Sequence, residues 1–172
     1  MISYKNGDLF NSLAQISLTQ SVVLPHVCND IGVFSSGFVV PLSKHYPAAR
    51  DAYVKWFTDK NYLDGENQIS FALGQVQFVR IVENIVIANM IAQHETIRHN
   101  DKPIRYAALI QCMAGIRDHV LARNKVQLHG QQSQIHCPKF GSDRARGSWE
   151  FIEELIDELW CANNIPVTVY QL

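Results

Sequence analysis

The run Val22-Val23-Leu24-Pro25-His26-Val27-Cys28 is apolar and rich in β-branched residues, and it stops abruptly at Asn29-Asp30. Such a run reads as a buried strand. The next residues are small and polar, with Gly32, Ser35, Ser36 and Gly37 leaving room for the backbone to approach a ligand. Apolar residues resume at Phe38-Val39-Val40, ahead of Pro41-Leu42, which predicts a short helix. Strand, glycine-containing loop and helix in that order aim backbone N–H groups at an anion such as phosphate. The same pattern also serves as a plain connecting loop, so the stretch alone leaves both uses open.

The rest of the chain supplies partners for that strand. Ile2-Ser3-Tyr4-Lys5 alternates and reads as a first strand, with Asn6-Gly7-Asp8 as turn and cap. Asn11 to Gln20 is ambiguous, with Leu13, Ile16 and Leu18 as its buried candidates. Pro47 suits the first turn of a helix over Ala48 to about Thr58, with Ala49, Ala52, Tyr53 and Trp56 inward. Asp64-Gly65 is a turn. Gly74 to Ile81 alternates and Ile85 to Ala92 is continuously apolar, which predicts a hairpin whose second strand is buried on both faces. Gln93 to Lys102, carrying His94, His99 and Asp101, reads as a surface loop.

A long helix follows from Pro103-Ile104-Arg105-Tyr106 to about Arg123, with Leu109, Cys112, Met113, Ile116 and Val120 at core spacing. Lys125 to Gln134 is a polar connector holding His129-Gly130, and Ile135-His136-Cys137 is a short strand that Pro138 should end. Gly141 to Gly147 forms a second loop facing the first across the carboxyl end of the sheet. Ser148 caps a helix with Ile152, Leu155, Ile156, Leu159 and Trp160 inside, ended by Asn163-Asn164. Val167 to Tyr170 is the last strand. The sum is an α/β protein: a three-layer α/β/α sandwich with a mixed central sheet, one domain over residues 1–172.

Charge and cysteine content narrow the function. Fifteen basic and 16 acidic residues give a net charge of −1, which offers no support for counterion-releasing contact with nucleic acid. Backbone amides can still bind a small anion without net positive charge. Cys28, Cys112, Cys137 and Cys161 form no CxxC pair, no signal peptide precedes Met1-Ile2-Ser3, and no apolar run reaches the ~20 residues of a membrane span. Free thiols in a cytoplasmic protein with no membrane partner are expected. The seven histidines lack HExxH spacing and any close pairing with cysteine, so no metal or cofactor is expected.

Gly7-Asp8-Leu9-Phe10, His26-x-Cys28-Asn29-x-x-Gly32-x-x-x-x-Gly37, Pro138-Lys139-Phe140-Gly141, Gly147-Ser148-Trp149-Glu150 and Pro166 to Leu172 occur here in one order and spacing. Together they resemble the macrodomain family from about Ile2 to Leu172. The nearest branch resembles that of ADP-ribose-1″-phosphate phosphatases and the terminal ADP-ribose glycohydrolase. The resemblance implies ADP-ribose or ADP-ribose-1″-phosphate as partner, with the diphosphate held by backbone N–H donors of two loops. Those loops are Gly32, Val33, Phe34, Ser35, Ser36 and Gly37, and Gly141, Ser142, Asp143, Arg144 and Ala145. It further implies Asp8, next to Leu9, on the adenine amine, Tyr170 beside the adenine, and Asn29 on the distal ribose. His26 resembles the histidine of the phosphatase branch, although a lone histidine on an apolar strand is more often a satisfied core residue. In a regular strand His26 and Asn29 point to opposite faces, so both reach one site only if the strand end is irregular.

The chain departs from the family at both loops. Ser35 and Ser36 stand where glycine and alanine are usual, and Asp143 and Arg146 replace two glycines of the second loop, with Arg144 replacing an apolar residue. Asp143 tolerates a left-handed backbone, which would preserve the loop's shape. Its carboxylate repels a diphosphate unless Arg144 or Arg146 compensates, or else serves as the acid or base of a hydrolytic site. The glycohydrolase's nucleophilic lysine has no counterpart at Ala92-Gln93-His94, and its aspartate falls on Ala145. Three readings follow. The first is a phosphatase for ADP-ribose-1″-phosphate using His26, Asn29 and Asp143. The second is a non-catalytic ADP-ribose reader. The third is a macrodomain-like scaffold for another nucleotide or for a protein.

Overall fold

The computed structural model describes residues 1–99, 101–126 and 132–171. In chain order the elements are β1 (Ile2–Asn6), α1 (Leu9–Ala14), β2 (Ser21–Asn29), α2 (Val39–His45) and α3 (Pro47–Asp59), followed by β3 (Asn61–Asp64), β4 (Asn67–Ser70), β5 (Val76–Val82) and β6 (Ile85–Gln93). The chain continues with α4 (Tyr106–Val126), β7 (Ser133–Pro138), α5 (Trp149–Leu159) and β8 (Val167–Gln171). Six strands form one sheet in the order β1-β8-β7-β2-β6-β5. All neighbours are parallel except β5, which runs antiparallel to β6 at the edge. β3 and β4 pair separately as a small hairpin.

Alternation along the central strands sorts side chains into two cores. Val23 of β2, with Ala88, Met90 and Ala92 of β6, packs against α4 and α5 in a cluster that includes Leu109, Met113, Ile156 and Trp160. Val22 and Leu24, with Ile85 and Ile87, face the other way onto Leu9, Phe10, Leu13, Leu42 and Ala49 of α1, α2 and α3. β6 is buried from Ile85 to Ala92, as a strand covered by helices on both faces must be. The result is the three-layer α/β/α sandwich with a mixed sheet.

Local chemistry sets the boundaries. Asp8 caps α1 by accepting the Asn11 N–H at 2.8 Å, and Ser148 caps α5 by accepting the Phe151 N–H at 3.3 Å. Pro47 opens α3 at its first turn, and Lys60 ends it with a φ of 64°. Pro138 is the last residue of β7 to pair, opposite Tyr170. The ambiguous stretch after Asp8 resolves as α1 followed by a turn, and Leu18 is 78% exposed, not buried. α4 begins at Tyr106, because Ile104 first makes a bridge to Gln93. His129-Gly130 lies outside the described residues. The four cysteines are free, three of them buried. Among the described residues no helix is long and apolar enough to cross a membrane.

Candidate functional site

The carboxyl ends of β2, β6, β7 and β8 open on a cleft walled by the two glycine-containing loops. The first loop takes its shape from Asn29. Its Oδ1 accepts the N–H groups of Ile31 at 3.1 Å and Val33 at 3.0 Å, and its Nδ2 donates to the Val33 carbonyl at 2.6 Å. The Tyr53 hydroxyl, from α3, donates to the Asn29 carbonyl at 2.7 Å, with Oδ1 3.0 Å away. Asn29 is 7% exposed, so its amide is largely committed to folding the loop. Gly32 has a φ of +76°, and a Cβ there would lie 2.4 Å from the Phe57 ring. Only glycine fits.

The second loop is held by its own backbone. The Gly147 N–H donates to the Gly141 carbonyl at 2.8 Å and the Arg146 N–H to the Asp143 carbonyl at 3.0 Å. The left-handed residues are Gly141, with a φ of 75°, and Arg146, with a φ of 58°. Asp143 does not use the left-handed conformation it tolerates; that conformation falls on Gly141 and Arg146. Arg146 reaches away to the Asp101 carbonyl at 3.0 Å. A Cβ on Gly147 would come within 2.5 Å of the Gly141 carbonyl oxygen, which is backbone and cannot swing aside. Gly147→Ala should therefore destabilise the fold by about 2 kcal/mol, or roughly 4–8 °C in Tm for a chain of this size. A thermal melt within a degree of the parent would show that the loop yields freely.

The cleft holds three chambers that share lining residues. The outer one, about 520 Å³, is lined by Gly37, Phe38, Pro41, Pro138, Lys139, Asp143, Tyr170 and Gln171. The middle one, about 110 Å³, lies between the loops and includes His26, Ser36, Gly37, Gly141, Asp143, Arg144 and Ala145. The inner one, about 60 Å³, is lined by Asn29, Val33, Phe34, Ser35, Ser36, Gln93, Thr96, Ile97 and Arg144, among others. Arg144 lies across Gly37, whose Cβ position is 3.1 Å from its Cδ, and borders both the middle and inner chambers. No ion pair involves its guanidinium among the described residues.

The sequence-selected residues thus divide. The two loops converge. Asp143 lines the middle and outer chambers but not the inner one. Asp8 caps α1 and is not among the residues lining the outer chamber, and Leu9 is buried in the core. Tyr170 lines the outer chamber while its hydroxyl pairs with His136 Nδ1 at 2.9 Å.

His26 is 1% exposed and touches the middle chamber. Its Nε2 lies 2.6 Å from Asn89 Oδ1. Asn89 Nδ2 in turn donates to the Ala49 carbonyl at 3.1 Å and to Gln77 Oε1 at 3.0 Å. Those acceptors fix the amide's orientation, so His26 carries its proton on Nε2. Burial depresses its pKa to about 4, against an opposing pull from Asn89, and the ring is neutral. The β2–β6 register shifts between Cys28 and Asn29. This bulge turns Asn29 towards α3, the side that His26 also faces through Asn89 and Ala49. The irregular strand end that both residues required is present.

One pair escaped the sequence reading. Asp30, just after the bulge, accepts from His94 Nδ1 at 2.7 Å through Oδ2 and from the Glu95 N–H at 2.8 Å through Oδ1. The two side chains are 64 residues apart and become neighbours only because β2 and β6 pair. Among the described residues no group of three or more His, Cys, Asp or Glu is placed to hold a metal ion.

Fold and cleft define an α/β/α protein with two glycine-containing loops meeting at the carboxyl end of its sheet. No protein-family model and no curated protein matches the sequence. Solved structures do. A protein of unknown function from Bacteroides thetaiotaomicron is 34% identical with a TM-score of 0.82, covering 100% of this chain and 98% of that one. A macrodomain protein from Streptomyces coelicolor is 32% identical with a TM-score of 0.77 over 100% and 99% of the two chains. Thermosipho africanus DarTG, solved in complex with ADP-ribose, shares the fold at 13% identity and a TM-score of 0.67, covering 98% of this chain and 41% of that one. The chain belongs to the macrodomain family.

Proposed function

We propose that residues 1–172 act as a single macrodomain that binds ADP-ribose along the cleft and removes the phosphate of ADP-ribose-1″-phosphate. The observation that carries this reading is the run of three chambers beneath two glycine-containing loops, with Arg144 at the boundary of the innermost. The adenine occupies the outer chamber beside Tyr170, the diphosphate lies between the loops, and the distal ribose enters the inner chamber. DarTG, a neighbour in fold, is known in complex with ADP-ribose, which supports the choice of ligand. A guanidinium with no ion pair among the described residues, beside the distal end, suits a ligand with an additional phosphate there, since arginine grips phosphate through paired N–H donors. Arg144 also offsets the Asp143 carboxylate, which would otherwise repel the diphosphate.

The test has two arms. ADP-ribose at ~100 times its Kd should stabilise the fold by about 2.7 kcal/mol, read as a rise in Tm. No shift at millimolar ADP-ribose would end both the binding and the hydrolytic readings. Phosphate release from ADP-ribose-1″-phosphate then separates an enzyme from a reader. The reader is favoured by the engagement of Asn29 and His26 in hydrogen bonds within the protein. Binding without release decides for it.

A further inference from the structure

The second loop meets the inner chamber through Arg144 alone. Every other residue lining that chamber belongs to β2, the first loop, α2, or β6 and the few residues after it. Arg144 is also the one charged side chain in the lining. We propose that Arg144, seated on the backbone of Gly37, is the specificity-determining residue that selects a ligand with a phosphate monoester on its distal ribose over one without. The inference rests on the binding half of the reading above and is independent of hydrolysis.

The seat is steric. A Cβ on Gly37 would lie 3.1 Å from Arg144 Cδ, 3.4 Å from its Nε and 3.8 Å from its Cγ. The arginine therefore crosses from the second loop to the first by packing on a residue that has no side chain of its own. Any substituent at position 37 pushes the stem off that path. Gly37 has a φ of +76°, so glycine serves both the turn and the crossing. The crossing carries Arg144 to the boundary between two chambers. It lines the middle and the inner one, together with Val27, Ser36, Val39 and Gln93.

Charge supplies the selection. Of the other polar groups on that boundary, Ser36 is neutral and Gln93 spends its Nε2 on the Glu95 carbonyl at 3.1 Å. Arg144 donates no hydrogen bond and makes no ion pair among the described residues. Arg146, by contrast, is tied to the Asp101 carbonyl. A guanidinium stays charged at any physiological pH, and its planar fork can hold two phosphate oxygens at once. ADP-ribose brings a neutral ribose to the inner chamber, whereas the 1″-monoester brings a dianion to a wall whose one charge is Arg144.

The experiment is calorimetry with two ligands: ADP-ribose and its 1″-phosphonate, in which a methylene replaces the C1″ ester oxygen so that no hydrolysis intervenes. The proteins are the parent chain, Arg144→Gln, Arg144→Lys, Gly37→Ala and the double variant Gly37→Ala with Arg144→Gln. The parent should bind the phosphonate at least ~10-fold more tightly than ADP-ribose, as a charge-assisted contact allows. In Arg144→Gln the two Kd values should lie within about threefold of each other. Arg144→Lys should keep an intermediate preference, having the charge without the fork. Gly37→Ala should lose preference by displacing the arginine, and in the Arg144→Gln background it should cost no further preference. Arg144 is exposed, so its variants fold and decide the matter even if Gly37→Ala does not. An Arg144→Gln ratio within about twofold of the parental one overturns the proposal. Full preference in Gly37→Ala, or additive losses in the double variant, overturns the seat. A parent that binds both ligands equally overturns the proposal and leaves the ADP-ribose reading intact. A parent that binds neither overturns both.

Discussion

Asn89→Ala should destabilise this protein by about 3–5 kcal/mol, a large share of the total stability of an ordinary domain. Asn89 is fully buried in β6 and serves three partners at once: it accepts from His26 and donates to Gln77 and to the Ala49 carbonyl. Gln77 completes the chain by donating to the Ala52 carbonyl at 3.1 Å. Truncation strands the His26 N–H and the Gln77 oxygen in an environment without water, and each unsatisfied buried group costs about 1–3 kcal/mol. It also leaves a void between the sheet and α3. Urea denaturation checks this: the midpoint should fall substantially with the slope unchanged. A loss below about 1 kcal/mol would mean that water enters and replaces the amide.

That network marks the boundary of what the sequence discloses. Ile85 to Ala92 declared a strand covered on both faces through its unbroken apolar character, and the face-by-face alternation of Val22, Val23 and Leu24 follows from it. The spacing of Leu109, Cys112, Met113, Ile116 and Val120 likewise fixed the buried stripe of α4. The hairpin of β3 and β4 left only its Asp64-Gly65 turn in view. Its strands are short and polar, and it is held by tertiary contacts, among them Tyr62 edge-on to Trp56 and the Trp56 N–H donating to the Ile69 carbonyl. Composition around Gly32 to Gly37 and Gly141 to Gly147 located the cleft. The partners of His26 and Asp30 stayed hidden, since they lie 63 and 64 residues away and depend on strand order and on a bulge. Which residue of the second loop turns left-handed was equally hidden, because closure at Gly141 and Gly147 decides it.

Mild acid should unfold this protein more readily than its composition suggests. Burial lowers the pKa of His26, His119 and His136 from 6.5 to about 4 each. His119 stacks on Phe78 with ring centroids 3.9 Å apart, and the nearby Arg123 lowers its pKa further; Lys5 adds to the effect at His136. Once unfolded, each ring takes up a proton near pH 6.5, whereas in the native state it resists down to about 4. Between those limits the unfolded chain binds more protons, so stability is full above pH 6.5 and falls as the pH drops towards 4. For fully buried His26 the whole interval is worth about 3 kcal/mol. His119 is only half-buried and contributes less. The measurement is unfolding free energy at several pH values between 5 and 6.5, above the range in which most carboxylates titrate. Stability should decline by at least 1.4 kcal/mol per pH unit near the lower end, the slope of about one proton. In His26→Gln that slope should drop by about one proton even if the variant is less stable throughout, because the slope reports proton uptake and not packing. A slope unchanged by the substitution would mean that His26 is not held neutral in the native state.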